Sequence, residues 1–174
     1  KADAYGHGIA RVFEALRGAD GFALLELHEA QLLRDLGWRG PILLIEGVFE
    51  ARDLELCSRL KLWHVIHCSE QIDMLAAHKT HEPHRVFLKM NSGMNRLGFT
   101  PAAFRAAYAR LTALPQVDEI SLMTHLSDAD GTRLGADGQM HEGANYQVQT
   151  FMQATQDLVG EISLANSAAL LRLP

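Results

Sequence analysis

GFALLELHEAQLLRDLGWRGPILLIE, residues 21–46, decides the fold. Two strand-sized apolar runs, Gly21 to Leu27 and Pro41 to Glu46, bracket a segment from Glu29 to Leu36 whose apolar residues fall at helical spacing. Both runs are apolar on successive residues rather than on alternate ones, which predicts strands buried on both faces of a parallel sheet. Working outward, four more such runs follow: LWHVIH (Leu62 to His67), RVFLKM (Arg85 to Met90), EISLMTH (Glu119 to His125) and EISLAN (Glu161 to Asn166). Helical spacing recurs between them, as at Ile9 to Leu16, Glu70 to Ala77, Phe104 to Leu111 and Tyr146 to Leu158. The alternation predicts an α/β fold of right-handed βαβ units.

Six strands with intervening helices fit a doubly wound sheet or most of a (β/α)8 TIM-type barrel. The barrel is favoured because polar residues recur where the strands end: Glu46, His67, Lys89 with Asn91, His125, and Asn166 with Ser167. A barrel collects such strand ends into the ring where its chemistry is done. Ser127 to Gly143, rich in Asp and Gly, reads as a surface loop. No linker or repeat divides the 174 residues.

Composition narrows the function class. With 48% hydrophobic residues the chain is an ordinary globular one, and a net charge of -5 with scattered Lys and Arg offers no footprint for nucleic acid. No apolar run approaches the roughly 20 residues that span a bilayer, and no signal segment opens the chain, so a cytoplasmic location and no membrane partner are expected. Cys57 and Cys68 lack a CxxC or His-spaced pattern and read as reduced and structural; no metal is expected.

Four stretches carry candidate chemistry. KADAYGHG (Lys1 to Gly8) sets a lysine, a tyrosine and two glycines in a turn able to bring an amine and a hydroxyl toward one small anion; Gly6 and Gly8 equally suit entry into a helix. KMNSGMNRLGF (Lys89 to Phe99) joins a strand-ending lysine through a turn to Arg96, whose planar fork suits a carboxylate, or which is a surface charge. MTHLSDAD (Met123 to Asp130) puts His125 at a strand end, as a structural or a site group. SLANSAALL (Ser163 to Leu171) puts Asn166 and Ser167 before a short helical segment, as phosphate ligands or as an ordinary N-cap.

Taken together and in this order, the four stretches resemble alanine racemases, pyridoxal phosphate (PLP) enzymes of fold type III, across essentially the whole chain. The resemblance implies an N-terminal barrel domain over residues 1–174, incomplete, with its first and eighth strands and the C-terminal β domain outside the sequence. It makes Lys1 the Schiff-base lysine and one of two proton-transfer bases. It makes Tyr5 a phosphate ligand, and Arg96 a contact to the substrate carboxylate and the cofactor side. His125 then packs by the PLP ring, and Ser167 with Asn166 belongs to the phosphate and cofactor site. Lys89 stands where many members carry a carbamylated lysine. Asn91 and Asn95 depart from the family, where Asp is common at the first position and His or Gly at the second.

The implied function is racemisation of L-alanine and D-alanine, supplying D-alanine for peptidoglycan or interconverting it for catabolism. The implied partner is a second subunit, whose C-terminal domain gives the other base in a homodimer. The 174-residue piece alone is then expected to be inactive and, with open sheet edges, prone to aggregate. Rival readings are a broad-specificity amino-acid racemase, a decarboxylase on the same barrel, a non-catalytic single-barrel PLP-binding protein and a barrel without PLP.

Overall fold

The computed structural model describes residues 2–80, 82–134 and 139–172. The chain forms two compact units, residues 1–87 with 114–119 and residues 88–113 with 120–174. Lys1 lies outside the described residues, so the structure gives no geometry for the lysine singled out above.

The first unit alternates as expected: α1 (Ile9–Ala15), β1 (Phe22–Leu24), α2 (Leu27–Asp35), β2 (Ile42–Leu44), α3 (Asp53–Leu60), β3 (Trp63–Ile66), α4 (Ser69–Ala77) and the start of β4 (His84–Lys89). Strands β1 and β2 pair in parallel with Phe22 opposite Ile42 and Leu24 opposite Leu44; β2 and β3 pair in parallel with Leu44 opposite His64. The order β1-β2-β3-β4 follows the sequence without reversal, as in a barrel, whereas a doubly wound sheet reverses at a switch point. Ile42, Leu44, Val65 and Ile66 are fully buried, and with Leu33, Leu54, Ile72 and Leu75 from the helices they form the core. The strand expected over Gly21 to Leu27 is shorter, because Leu27 already opens α2.

Arg34 on α2 closes this layer. Its guanidinium donates to the carbonyls of Trp38, Gly40 and Leu60 at 3.1, 2.8 and 2.9 Å, which ties the loop after α2 to the last carbonyl of α3 with one side chain. The segment before α1 is unlike its surroundings. Ala2, Asp3, Ala4 and Tyr5 all lie at positive φ, 48 to 59°, and make one turn of left-handed helix. Such backbone costs L-residues about 1–2 kcal/mol each, so the turn has to be held by contacts from elsewhere.

The second unit holds the end of β4, most of β5 (Val117–Met123) and β8 (Ile162–Ser163), with Leu122 opposite Ile162 and Met123 opposite Ser163 in parallel. Between β4 and β5 runs α5 (Pro101–Thr112), capped by Thr100, whose hydroxyl accepts from the Ala103 amide, with Pro101 at the first helical position. It packs on α6 (Asn145–Thr155) through Phe104 and Phe151, both fully buried with ring centroids 6.3 Å apart. The chain then ends in α7 (Ser167–Arg172).

The reading of Ser127 to Gly143 as an irregular loop is corrected. It contains a two-stranded antiparallel hairpin, β6 (Thr132–Leu134) and β7 (Met140–Glu142), with Arg133 opposite His141. Strands of three residues with polar positions leave no periodicity to read.

Candidate active site

The candidate site residues of the second unit cluster where strands end. Lys89 closes β4 and is buried, 6% exposed. Beyond it the chain makes a loop that returns on itself: the Asn91 amide donates to the Phe99 carbonyl at 2.8 Å, and the Phe99 amide donates to the Lys89 carbonyl at 2.9 Å. Gly98 is required at the closure, because a Cβ there would lie 2.6 Å from the Asn91 nitrogen and its φ is +121°. Inside the loop Asn91 Oδ1 accepts from the amides of Gly93 and Asn95, and Asn91 Nδ2 donates to Asn95 Oδ1 at 3.1 Å. Asn91 and Asn95 are thus matched to each other, since a carboxylate at 91 could not donate to the Asn95 carbonyl oxygen. Asn95 also tolerates its left-handed φ of 58°. Arg96 is exposed on this loop and makes no hydrogen bond or ion pair to a described residue.

His125 follows the end of β5 and is half-buried. Its main chain is fixed by Gln147, a buried side chain on α6. Gln147 Nε2 donates to the His125 carbonyl at 3.0 Å and to Ser92 Oγ at 3.3 Å, while its Oε1 accepts from the Ser127 amide and hydroxyl at 2.8 and 3.0 Å. Thr124 Oγ1 donates to the Met90 carbonyl, so Ser92 must donate to Thr124 at 2.8 Å and accept from Gln147. One amide therefore locks the segments after β4 and after β5. Gln147, Ser92 and Thr124 were not singled out in the sequence; a glutamine four residues before Phe151, at helical spacing from an apolar position, was the one available signal.

Asn166 acts as the N-cap of α7: its Oδ1 accepts from the Ala169 amide at 3.0 Å, and its Nδ2 donates to the Leu126 carbonyl at 2.8 Å. Both polar ends of Asn166 are thus engaged by the protein, and Ser167 beside it is exposed. Tyr5, in the first unit, is 74% exposed on the left-handed turn.

The first unit also buries a group of histidines where its strands begin. Ser58 Oγ donates to the Leu54 carbonyl, so it accepts from His84 Nε2 at 3.2 Å and from His78 Nε2 at 3.5 Å. His84 Nδ1 must then accept from His64 Nε2 at 3.1 Å, which leaves His64 Nδ1 bare; that atom is buried without a partner. Burial, reinforced by the neighbouring histidines, pushes His64 down to about 3 and His84 down to about 4, so both are neutral at pH 7. His84 borders a cavity of about 300 Å3 with Cys57, Ser58, Trp63, Arg85 and Glu119, where Arg85 pairs with Glu119 and stacks on Trp63.

Cys57 and Cys68 are free thiols, and burial with the Asp53 charge pushes Cys57 up to about 12, so it is no nucleophile. Among the described residues no three His, Cys, Asp or Glu side chains are grouped to hold a metal ion, and no helix is long and apolar enough to cross a membrane.

Comparison with known proteins adds a family. Residues 1–174 match the family model described as alanine racemase, N-terminal domain. The chain is 74% identical over 172 residues to an alanine racemase of Methylibium petroleiphilum and 71% identical to one of Paracidovorax citrulli, covering 99% of this chain and 44% of each relative. Among solved structures, the biosynthetic alanine racemase of Pseudomonas aeruginosa superposes with a TM-score of 0.89 at 43% identity, over 99% of this chain and 47% of that one. The chain thus spans less than half the length of the relatives it matches.

Proposed function

The chain belongs to the alanine racemase N-terminal domain family, and from that premise we propose that it is the cofactor-bearing part of a PLP-dependent alanine racemase. The identity of 74% across 99% of its residues carries this reading. The donor set supports it: Arg96, His125, Asn166 and Ser167 are guanidinium, imidazole, amide and hydroxyl groups without a carboxylate among them, as an anionic cofactor and an amino-acid carboxylate require.

The chemistry supplied by PLP when bound is an electron sink for the pair left behind as the α-proton of alanine departs. The residues have to attach, orient and move protons. Lys1 serves as the point of attachment, a task suited to an amine whose pKa falls readily on desolvation, and once released it takes or returns the proton on one face of the substrate. Tyr5 and Ser167, with Asn166 holding the helix start, serve the phosphate. His125, its backbone pinned by Gln147, would pack against the cofactor ring, and Arg96 would meet the substrate carboxylate. Inversion needs a proton on the opposite face, a role for the C-terminal domain of a partner subunit in a homodimer. Lys89, carbamylated, would offer an anion for Arg96.

In the full-length protein the sheet closes into an eight-stranded barrel with further strands, and the enzyme works in the cytoplasm, supplying D-alanine for peptidoglycan or interconverting it in catabolism. A broad-specificity racemase is the alternative, since the relatives' remaining length lies outside this chain.

Racemisation assays of the full-length protein with alanine, serine and lysine test the proposal. Preference for alanine supports it; equal turnover of all three favours the alternative. Arg96→Ala is expected to lower kcat/KM without unfolding the protein, and an unchanged value would remove Arg96 from the site. Residues 1–174 alone are expected to show no racemisation.

A further inference from the structure

Glu29 is the third residue of α2, yet it is not a solvated helix carboxylate: it is 2% exposed. Its Oε1 accepts from the backbone amide of Asp3 at 2.7 Å, a bond spanning 26 residues of sequence, and its Oε2 is buried without a hydrogen-bond partner. Burying a charge this way is unfavourable unless the bond it makes is needed, and the first turn of a helix is the place where its dipole best tolerates the charge.

The recipient explains the need. Asp3 is the second residue of the left-handed turn from Ala2 to Tyr5, four successive non-glycine residues at positive φ. The turn has internal bonds, with the Gly6 amide reaching the carbonyls of Ala2 and Asp3, and the Gly8 amide that of Asp3. Asp3 Oδ1 in turn accepts from the Ile9 amide at 3.0 Å and ties the turn to the start of α1. Glu29 supplies the anchor from outside, onto α2. The anchored amide is two residues from Lys1 and two from Tyr5, the pair read above as cofactor attachment and phosphate ligand.

We propose that Glu29 is a positioning residue for cofactor attachment: its buried carboxylate holds the Asp3 amide and thereby keeps the strained turn that carries Lys1 and Tyr5 in a binding-competent form. This rests on the reading of Lys1 as the cofactor lysine. Unlike a general stabilising contact, the bond acts on the residues that directly follow position 1 in the chain. Its loss is therefore felt in cofactor retention and kcat before it is felt in substrate affinity.

The test uses the full-length protein carrying Glu29→Ala or Glu29→Gln. Cofactor retention is followed by titration of PLP into the apoprotein, by its visible absorbance and by borohydride trapping. Glu29→Ala is expected to weaken retention and lower kcat by about 10- to 100-fold, the usual scale for misplacing a reacting group by an ångström, at a nearly constant KM for alanine. Glu29→Gln keeps an acceptor oxygen for the Asp3 amide and is expected to remain within about threefold of wild type. Retention and kcat of Glu29→Ala within that same range would overturn the proposal. Should Glu29→Ala not fold, an ester in place of the Asp3 amide deletes the same bond with every side chain intact; unchanged retention would overturn the proposal just as well. A trapped adduct that persists in Lys1→Ala contradicts the reading of Lys1 instead, so the two failures are distinguishable.

Discussion

Strand β4 begins in one kind of buried polar network and ends beside another. At its start, His84 joins His64, Ser58 and His78 in a chain of bonds whose His64–His84 link requires a neutral His84 to accept it. Past its end, Ser92, Thr124 and Gln147 form a chain of hydroxyls and an amide, none of which titrates, and every donor of the Gln147 amide has an acceptor. Both networks fasten segments together, but the first couples the fold to pH and the second does not. The division suits a barrel-type sheet, in which strand starts serve stability and strand ends serve chemistry. The main chain of His125, one of the candidate site residues, is thus held by groups that do not titrate.

The largest expected effect separates the two networks directly. His64 and His84 have folded pKa values of about 3 and about 4, below the ordinary 6.5, so the unfolded chain binds protons first as the pH falls. Their contribution is intact above about pH 6.5, declines through the window down to about pH 4 and then 3, and levels off below. Each histidine adds a slope of about 1.4 kcal/mol per pH unit in that window. Urea unfolding of the full-length protein across pH 4 to 7 measures it, and His64→Leu is expected to flatten the slope by about one proton. An unchanged slope would mean that the histidine chain is not what couples stability to acid.

Gln147→Ala comes next. It strips partners from Ser92, the Ser127 amide and the His125 carbonyl, which at about 1–3 kcal/mol for an unsatisfied buried group predicts a loss of about 2–3 kcal/mol after partial rehydration. The acid slope is expected to stay as in wild type; a changed slope would erase the distinction between the networks. Ser92→Ala removes one link, leaves Gln147 Nε2 its bond to the His125 carbonyl, and is expected to cost about 1 kcal/mol by the same measurement. Ser127→Ala, at an exposed hydroxyl whose amide remains bound, is expected to cost no more than about 0.5 kcal/mol.

The elements with strong periodicity were legible in the sequence. The successive apolar residues of Ile42–Leu44, and the mostly apolar Trp63–Ile66, place two strands in the core, and helical spacing finds α2 and α5 to within a few residues. Asn166 reads as a helix start because an N-cap is a local signal, and it is one. What the sequence could not disclose depends on burial. Glu29 looks like a solvated helix residue, since nothing local says that Asp3 will sit on its carboxylate. Ala2 to Tyr5 have no preference for positive φ, so their left-handed turn is imposed by the surroundings. His64, in an apolar strand, and His84, one residue before the run that begins at Arg85, give no sign that they meet. Gln147 has the helical pattern of its neighbours and a role visible only once the loops after β4 and β5 are in place. In each case the deciding interaction is long-range, and pattern reading sees only neighbours.

In the proposed function Lys1 carries the cofactor. The most direct measurement is to load the full-length protein with PLP, reduce it with borohydride, digest it and map the modified peptide by mass spectrometry. A single adduct is expected on the lysine of the KADAYGHG stretch, absent from Lys1→Ala, whereas an adduct on any other lysine, or none on the loaded wild-type protein, would contradict attachment at Lys1.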